Sequence, residues 1–162
     1  MGSSVVIMGV SGCGKSSLGA AVAKALNLPL IEGDDHHSAT SRTKMSQGIA
    51  LTDEDRDGWL TLLGELLQAA PSGAVLTCSA LKKRYRDQLR AACPGLRFVY
   101  LDLSREVALT RVASRSSHFF APSLVDSQFA ALETPVEEPG VLKVDATQSL
   151  NDLLLQVNRW YG

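Results

Sequence analysis

The sequence predicts an α/β fold, in which helices cover both faces of a five-stranded parallel sheet. Three observations lead to this expectation. Segments typical of strands and of helices alternate along the whole chain. The strand segments are short, continuous and apolar, as expected when both faces of a sheet are covered. The first of them, residues 4–9, runs into a glycine-rich loop that a helix follows.

Apolar spacing places the elements in chain order. Apolar residues recur at helical spacing from Leu18 to Leu26, and Thr52 is a predicted N-cap ahead of three acidic residues. Pro122 lies in the first turn of a later helix. The predicted strands are residues 4–9, a stretch after Pro29 that ends at Asp34, 74–79, 97–103 and 141–146. The predicted helices are residues 18–26, 51–70, 81–90, 106–115, 122–132 and 149–160.

Length and composition indicate one globular domain, residues 1–162. A chain of 162 residues suits a single domain, and 45% hydrophobic with 20% charged residues is ordinary for a globular protein. The formal net charge of -1 argues against general nucleic-acid binding, which needs a basic face. The sequence therefore favours a protein that acts on small molecules.

The expected location is the cytoplasm. The three cysteines are odd in number and form no CxxC pair, which fits a reducing compartment. The N-terminal residues resemble no signal peptide, and no apolar run approaches the ~18 residues of a membrane span. A thiol at a helix N-terminus can have a lowered pKa, which would make Cys13 sensitive to oxidation.

The glycine-rich loop predicts a nucleoside triphosphate site. Its sequence GVSGCGKS, residues 9–16, matches G-x-x-x-x-G-K-[ST] at every fixed position, with a strand before it and a helix after it. Backbone N–H groups would surround the phosphates, Lys15 would reach the β- and γ-phosphates, and Ser16 would ligate Mg²⁺. The predicted nucleotide contacts are Gly9, Val10, Ser11, Gly12, Cys13, Gly14, Lys15, Ser16 and Ser17.

The loop leaves three destinations for the γ-phosphate: water, a nucleotide or a small metabolite. A GTPase would need a guanine-reading N-K-x-D motif, and the sequence has none. The D-x-x-G match at residues 55–58 lies at the start of a helical pattern, so we interpret it as a coincidence. A small kinase is favoured over a nucleotide-binding regulator that turns over no acceptor.

Asp34 is the predicted acceptor-side carboxylate. It follows the second strand, and ligands in doubly wound sheets lie at the carboxyl ends of strands. A carboxylate there can orient an acceptor hydroxyl and take its proton, although a helix-capping role is the alternative. His37 is a candidate for polar contact with the substrate, with metal binding less favoured because Mg²⁺ prefers oxygen.

Two basic segments are candidates for contacts with anions. In residues 81–90, Lys82 and Arg86 share one helical face and could bind an anionic substrate; a solvated face is the alternative. Residues 111–121 are typical of a lid. There, Arg111 and Arg115 lie one helical turn apart and could reach the transferring phosphoryl group, or simply complement the helix dipole.

Taken together, these motifs resemble the gluconokinase family, the small P-loop kinases related in fold to shikimate kinase and adenylate kinase. The match runs along nearly the whole chain. Its most specific part is CSALKK-x-YRD, which starts at Cys78, followed by HFF at residues 118–120 and QF at residues 128–129. The phosphate loop alone is shared with many families.

The resemblance implies transfer of the ATP γ-phosphate to the 6-hydroxyl of D-gluconate, for the pentose phosphate and related pathways. It also implies Mg²⁺, a homodimer, and Asp34 as the base that orients the acceptor. Lys15, Asp34, Arg111 and Arg115 become the expected catalytic residues, with Asp145 near the adenine. The expected substrate contacts are Asp34, His37, Lys44, Arg56, Lys82, Arg86, His118 and Gln128.

Overall fold

The computed structural model describes residues 4–113 and 124–162, which form five strands, seven α-helices and one 3-10 turn, Gly33–His36. The strands are β1 (Val5–Met8), β2 (Leu30–Glu32), β3 (Val75–Thr77), β4 (Arg97–Asp102) and β5 (Val141–Asp145). The helices are α1 (Lys15–Leu26), α2 (Ala39–Ser46), α3 (Asp53–Gln68), α4 (Lys83–Ala92), α5 (Arg105–Ala113), α6 (Leu124–Ala131) and α7 (Leu150–Tyr161). Among these helices, none is long and apolar enough to cross a bilayer.

The strands form one parallel sheet in the order β2-β3-β1-β4-β5. This confirms the predicted five-stranded α/β fold. Strand β1 lies at the centre, with Val5 opposite Val75 of β3 on one side and Arg97 of β4 on the other. The carboxyl ends of β1, β2 and β3 therefore meet at one edge of the sheet, where a site is expected.

Alternate residues of β1 point to the two opposite faces of the sheet. Val5 and Ile7 belong to a core cluster completed by α1, α5, α6 and α7. Val6 and Met8 belong to the other cluster, which α3 and α4 complete. All four side chains are fully buried, and burial of such a side chain contributes about 1.5–3 kcal/mol. Helices on both faces explain why the strand is apolar throughout.

The structure differs from the sequence prediction in a few elements. Helix α2 was not predicted, because just two of its eight residues, Ser41 and Met45, are buried and no apolar stripe marks it. Thr52 is the N-cap of α3 as predicted, with a capping box to Asp55. Most of the predicted lid, together with Pro122, Arg115 and His118, lies outside the described residues.

Candidate active site

The phosphate loop joins the end of β1 to the start of α1. Gly9 has a φ of 150°, and a Cβ atom there would come within 2.7 Å of Cys13 Sγ and 3.0 Å of the Leu101 carbonyl oxygen. A larger residue would therefore force the loop open. Because α1 begins directly at Lys15, its unsatisfied N–H groups and its dipole face the space that the loop surrounds. This geometry suits a phosphate group.

Lys15 and Ser16 make the side-chain hydrogen bonds at the end of the loop. Lys15 Nζ donates hydrogen bonds to the carbonyl oxygens of Gly9 and Val10, at 3.0 and 3.2 Å. The Ser16 hydroxyl donates to Glu32 Oε2 at 2.8 Å. Glu32 is the last residue of β2, and the sequence analysis missed it. The sequence does place Glu32 where a ligand is expected, because it is an acid at the end of a strand, two residues before Asp34.

Ser16 and Glu32 together offer the oxygen ligands that Mg²⁺ prefers. Magnesium is usually held by one or two carboxylates together with substrate phosphates. Among the described residues, no group of three or more His, Cys, Asp and Glu side chains is placed to bind a metal ion. The hydroxyl and the carboxylate therefore fit a cation that phosphate oxygens and water would largely coordinate.

Cys13 lies in the phosphate loop, but its thiol faces the core. The side chain is 1% exposed and belongs to the core cluster that contains α1. Burial raises the pKa of the Cys13 thiol, and this outweighs the lowering effect of Lys15 and of the backbone. The sequence leaves open whether the helix terminus lowers the pKa of this thiol, and in the structure burial outweighs that effect.

Asp34 is held by the 3-10 turn that follows β2. The Gly33 N–H donates to Thr77 Oγ1 at 3.3 Å, and the Gly33 carbonyl accepts from Trp59 Nε1 at 2.8 Å. A Cβ atom at Gly33 would be 2.2 Å from the Thr77 carbonyl oxygen, so the turn lies tightly on β3. This contact fixes the backbone from which the Asp34 side chain, 56% exposed, enters the cleft.

His37 positions the Asp34 carboxylate. Its ring stacks on Trp59 with centroids 4.1 Å apart, and its Nε2 lies 3.5 Å from Asp34 Oδ1. Burial by itself would raise the pKa of Asp34, but the hydrogen bond from His37 and the charges of Lys15 and Arg42 hold it below its usual value. The carboxylate is therefore ionised at neutral pH.

A cleft of about 190 Å³ connects Asp34 to the phosphate loop. Its lining comes from the loop, the Asp34 turn, residues 45–59, the segment after β3, α4 and α6. The lining residues are Ser11, Lys15, Asp34, His37, Met45, Ala50, Leu51, Asp53, Arg56, Trp59, Ser79, Lys82, Tyr85, Leu124, Ser127, Gln128 and Ala131. Seven predicted site residues on five separate segments thus meet in one cleft: Ser11, Lys15, Asp34, His37, Arg56, Lys82 and Gln128.

Two cations lie beside Tyr85 in the wall opposite the phosphate loop. Arg56 Cζ is 5.5 Å and Lys82 Nζ is 5.7 Å from the centroid of the Tyr85 ring. Lys82 also pairs with Asp53 at 3.3 Å, while the Arg56 side chain makes no hydrogen bond or ion pair to the residues that the structure describes. Burial and the hydrogen bond to Asp53 raise the pKa of Tyr85 to about 12, so the phenol stays protonated. The Arg56 guanidinium is available to an anion in the cleft.

Arg86 does not line the cleft, so its position does not support the predicted contact with substrate. Its side chain is fully buried. It donates to both carboxylate oxygens of Glu138, at 2.9 and 2.6 Å, and to the carbonyl oxygens of Ala80 and Glu133. Arg90 also pairs with Glu138 at 2.9 Å. Arg86 is therefore a structural brace that ties α4 to the segments on either side of it.

Three other predicted residues, Lys44, Arg111 and Asp145, do not line the cleft. Lys44 is bound to Asp55 Oδ2 at 2.9 Å and does not line the cleft, so its position does not support substrate contact. Arg111 donates to the carbonyl oxygens of Gly12 and Ala146, which brings the phosphate loop next to the turn after β5. Asp145, the last residue of β5, is exposed and accepts hydrogen bonds from Thr147.

This arrangement can bring an anionic acceptor to a nucleoside triphosphate. The loop and α1 suit the phosphates, Asp34 is an ionised carboxylate within the same cleft, and Arg56 offers a fork of donors that matches a carboxylate. The fold and the site define a P-loop kinase.

Comparison with known proteins identifies the family. The shikimate kinase family model matches residues 11–138. A thermosensitive gluconokinase of Escherichia coli (strain K12) is 41% identical over 159 residues, which covers 96% of this chain and 85% of that protein. The gluconokinase of Gluconobacter oxydans (strain 621H) is 39% identical over 160 residues, covering 97% and 90%.

A solved structure gives the same result. The crystal structure of a gluconokinase from Sinorhizobium meliloti 1021 matches with a TM-score of 0.90 at 44% identity, and covers 98% of this chain and 91% of that one. The chain belongs to the gluconokinase family, among the kinases related to shikimate kinase.

Proposed function

We propose that this chain is a gluconokinase that transfers the γ-phosphoryl group of ATP to the 6-hydroxyl of D-gluconate, giving 6-phospho-D-gluconate and ADP. The observation that carries the proposal is the single cleft in which the phosphate loop, Asp34 and Arg56 meet, in a chain of the gluconokinase family. The residue roles below are part of the same proposal.

On the nucleotide side, the loop of residues 9–16 and the N-terminus of α1 surround the β- and γ-phosphates, while the Ser11 N–H stays bonded to Gln128. Lys15 exchanges its bonds to Gly9 and Val10 for phosphate oxygens, where its charge offsets the charge that develops in transfer. Arg111 and Asp145 lie on the adenosine side, next to the turn after β5, and Arg115 would approach from the predicted lid. Ser16 and Glu32 would hold Mg²⁺, which neutralises phosphate charge when bound.

On the acceptor side, Arg56 and Lys82 bind the carboxylate of the sugar acid, and Asp34 accepts a hydrogen bond from the hydroxyl that is phosphorylated. Phosphoryl transfer passes through a loose transition state, so the hydroxyl needs aim more than early deprotonation. A carboxylate with a lowered pKa suits that task, because it is a weak base that is always ionised at neutral pH. Gln128 from the cleft wall and His118 from the predicted lid complete the proposed contacts.

Several further properties belong to the proposal. The family resemblance supports a homodimer and a product that enters the pentose phosphate pathway. The free cysteines Cys13, Cys78 and Cys93 fit a reducing cytoplasm. The net charge of -1 supports a small-molecule substrate in preference to nucleic acid.

The test is the release of ADP with ATP and Mg²⁺ against a panel of D-gluconate, other aldonic acids, shikimate, AMP and no acceptor. We expect turnover with D-gluconate to exceed that with every other acceptor. Preferred turnover of shikimate, AMP or another sugar acid would keep phosphoryl transfer and reject gluconate as the substrate. Bound ATP without any acceptor-dependent turnover would reject the kinase.

A further inference from the structure

Gln128 makes a direct contact with the phosphate loop. Its Oε1 accepts a hydrogen bond from the backbone N–H of Ser11 at 2.5 Å, across 117 positions of sequence. Gln128 lies in α6, its residue is 7% exposed, and it lines the same cleft as Lys15 and Asp34. A buried side chain therefore joins the loop that surrounds the phosphates to the wall that faces the acceptor.

This contact fixes the orientation of the carboxamide. A backbone N–H can only donate, so the group that meets Ser11 must be the oxygen and the NH₂ group must lie on the other side. Among the residues that the structure describes, Gln128 Nε2 makes no hydrogen bond, although the side chain borders the cleft. Its two N–H bonds are available to a ligand there.

The neighbours of Gln128 indicate which ligand atoms these are. Ser11 is part of the phosphate loop, and Asp34 stands across the cleft from it. A phosphoryl group that passes from the nucleotide to an acceptor at Asp34 moves within this cleft, which Ser11 and Gln128 also line. Its equatorial oxygens carry negative charge in the transition state, and a donor that is already oriented stabilises that charge with little reorganisation.

We propose that Gln128 is a catalytic residue whose Nε2 donates a hydrogen bond to the transferring phosphoryl group, while Ser11 N–H holds its Oε1. The inference rests on the proposed phosphoryl transfer and is independent of which acceptor is used. It adds a contact with the transferring phosphoryl group to the contact with the acceptor proposed above.

Two variants distinguish the proposed role of Gln128 Nε2 as a hydrogen-bond donor from the role of Oε1 in holding the phosphate loop. Gln128→Glu keeps an oxygen for Ser11 N–H but replaces the donor with negative charge, and Gln128→Met removes both functions at similar length. Asp126→Asn is the matched control, since Asp126 lies on the same helix, is exposed and does not line the cleft. Thermal unfolding establishes that each variant is folded.

We expect Gln128→Glu to lower kcat by about 10²-fold, and Gln128→Met by about tenfold, with ADP affinity within about threefold of the original chain. Asp126→Asn should stay within about threefold in kcat. If the side chain only braces the loop, Gln128→Glu keeps full kcat while Gln128→Met loses it. That pattern would overturn the proposal. If Gln128→Glu is not folded, an unchanged kcat in Gln128→Met overturns it equally.

A binding measurement keeps this test separate from the choice of acceptor. ADP with aluminium fluoride and Mg²⁺ mimics the nucleotide with its phosphoryl group in transfer, and needs no turnover. We expect Gln128→Glu to weaken binding of this mimic by tenfold or more relative to binding of ADP alone. Equal weakening of both ligands would place Gln128 in nucleotide binding and reject a role in transfer, even if gluconate proves to be the wrong acceptor.

Discussion

The two sides of the cleft are built in different ways. The phosphate loop is continuous, residues 9–16, and its shape follows from its own glycines and from the helix that begins at Lys15. The acceptor side collects side chains from segments far apart in sequence and relies on contacts such as Arg86 with Glu138, 52 residues away. A local motif specifies the first side, whereas tertiary packing specifies the second.

Asp34→Asn tests the acceptor side most directly. We expect turnover to fall by about 10²–10⁴-fold with ATP affinity nearly unchanged, because the amide cannot take the proton of the acceptor hydroxyl. Steady-state kinetics with varied acceptor, and ATP binding by calorimetry, measure the two effects. Asp35→Asn, at the exposed neighbour on the same turn, is the control. A loss below about threefold would remove Asp34 from this role.

Lys15→Ala makes the corresponding change on the nucleotide side. Its ammonium lies against the Gly9 and Val10 carbonyl groups, so its removal leaves the loop backbone in place and takes away a charge. We expect kcat to fall by about 10²–10³-fold, through lost stabilisation of the transferring group. Lys24→Ala, at the other end of α1, should leave kcat unchanged. Full activity without the Lys15 ammonium would contradict the assignment of the loop.

Arg56 and Arg86 have different roles on the acceptor side: Arg56 is proposed to bind the substrate, and Arg86 stabilises the fold. Arg56→Ala should raise the acceptor KM by about 10–100-fold, as expected for a lost charged hydrogen bond, with little change in Tm. Arg86→Ala takes the donor from the carbonyl oxygens of Ala80 and Glu133, while Arg90 still pairs with Glu138. The loss of stability should be about 1–3 kcal/mol, which would lower Tm by about 5 °C. Thermal unfolding and kinetics on both variants measure this. The reverse pattern would mean that the two arginines have been assigned the wrong way round.

The same two arginines show how far the sequence could predict the site. The sheet, the phosphate loop and the cap at Thr52 depend on local patterns, and all could be predicted. Arg86 could not be told apart from a substrate-binding residue, because Glu138, its partner in the structure, is distant in sequence and carries no motif. The same reason applies to Gln128, whose contact with Ser11 spans 117 positions.

The pKa shifts of Glu138 and Asp34 determine how stability and activity change at low pH. Glu138 and Asp34 both have a pKa below the usual carboxyl value, although burial raises the pKa of each. Arg86 and Arg90 lower the pKa of Glu138, and His37 is the main group that lowers the pKa of Asp34. A lowered pKa in the folded state contributes stability above the usual pKa, and this contribution is lost as the pH falls through the folded value. Catalysis by Asp34 needs the ionised carboxylate. Activity should therefore also persist to a pH below the usual carboxyl pKa.

His37→Gln should therefore move the acid limb of kcat/KM to higher pH. Without the hydrogen bond from His37, burial acts on Asp34 with less opposition, its pKa rises, and the carboxylate is protonated at a less acidic pH. At neutral pH the effect on kcat should be small, since Asp34 is still ionised there. His36→Gln changes the neighbouring imidazole, which does not line the cleft, and should leave the profile in place. An acid limb that does not move in His37→Gln would mean that Lys15 and Arg42 suffice to hold Asp34 ionised, and that His37 acts through packing on Trp59 alone.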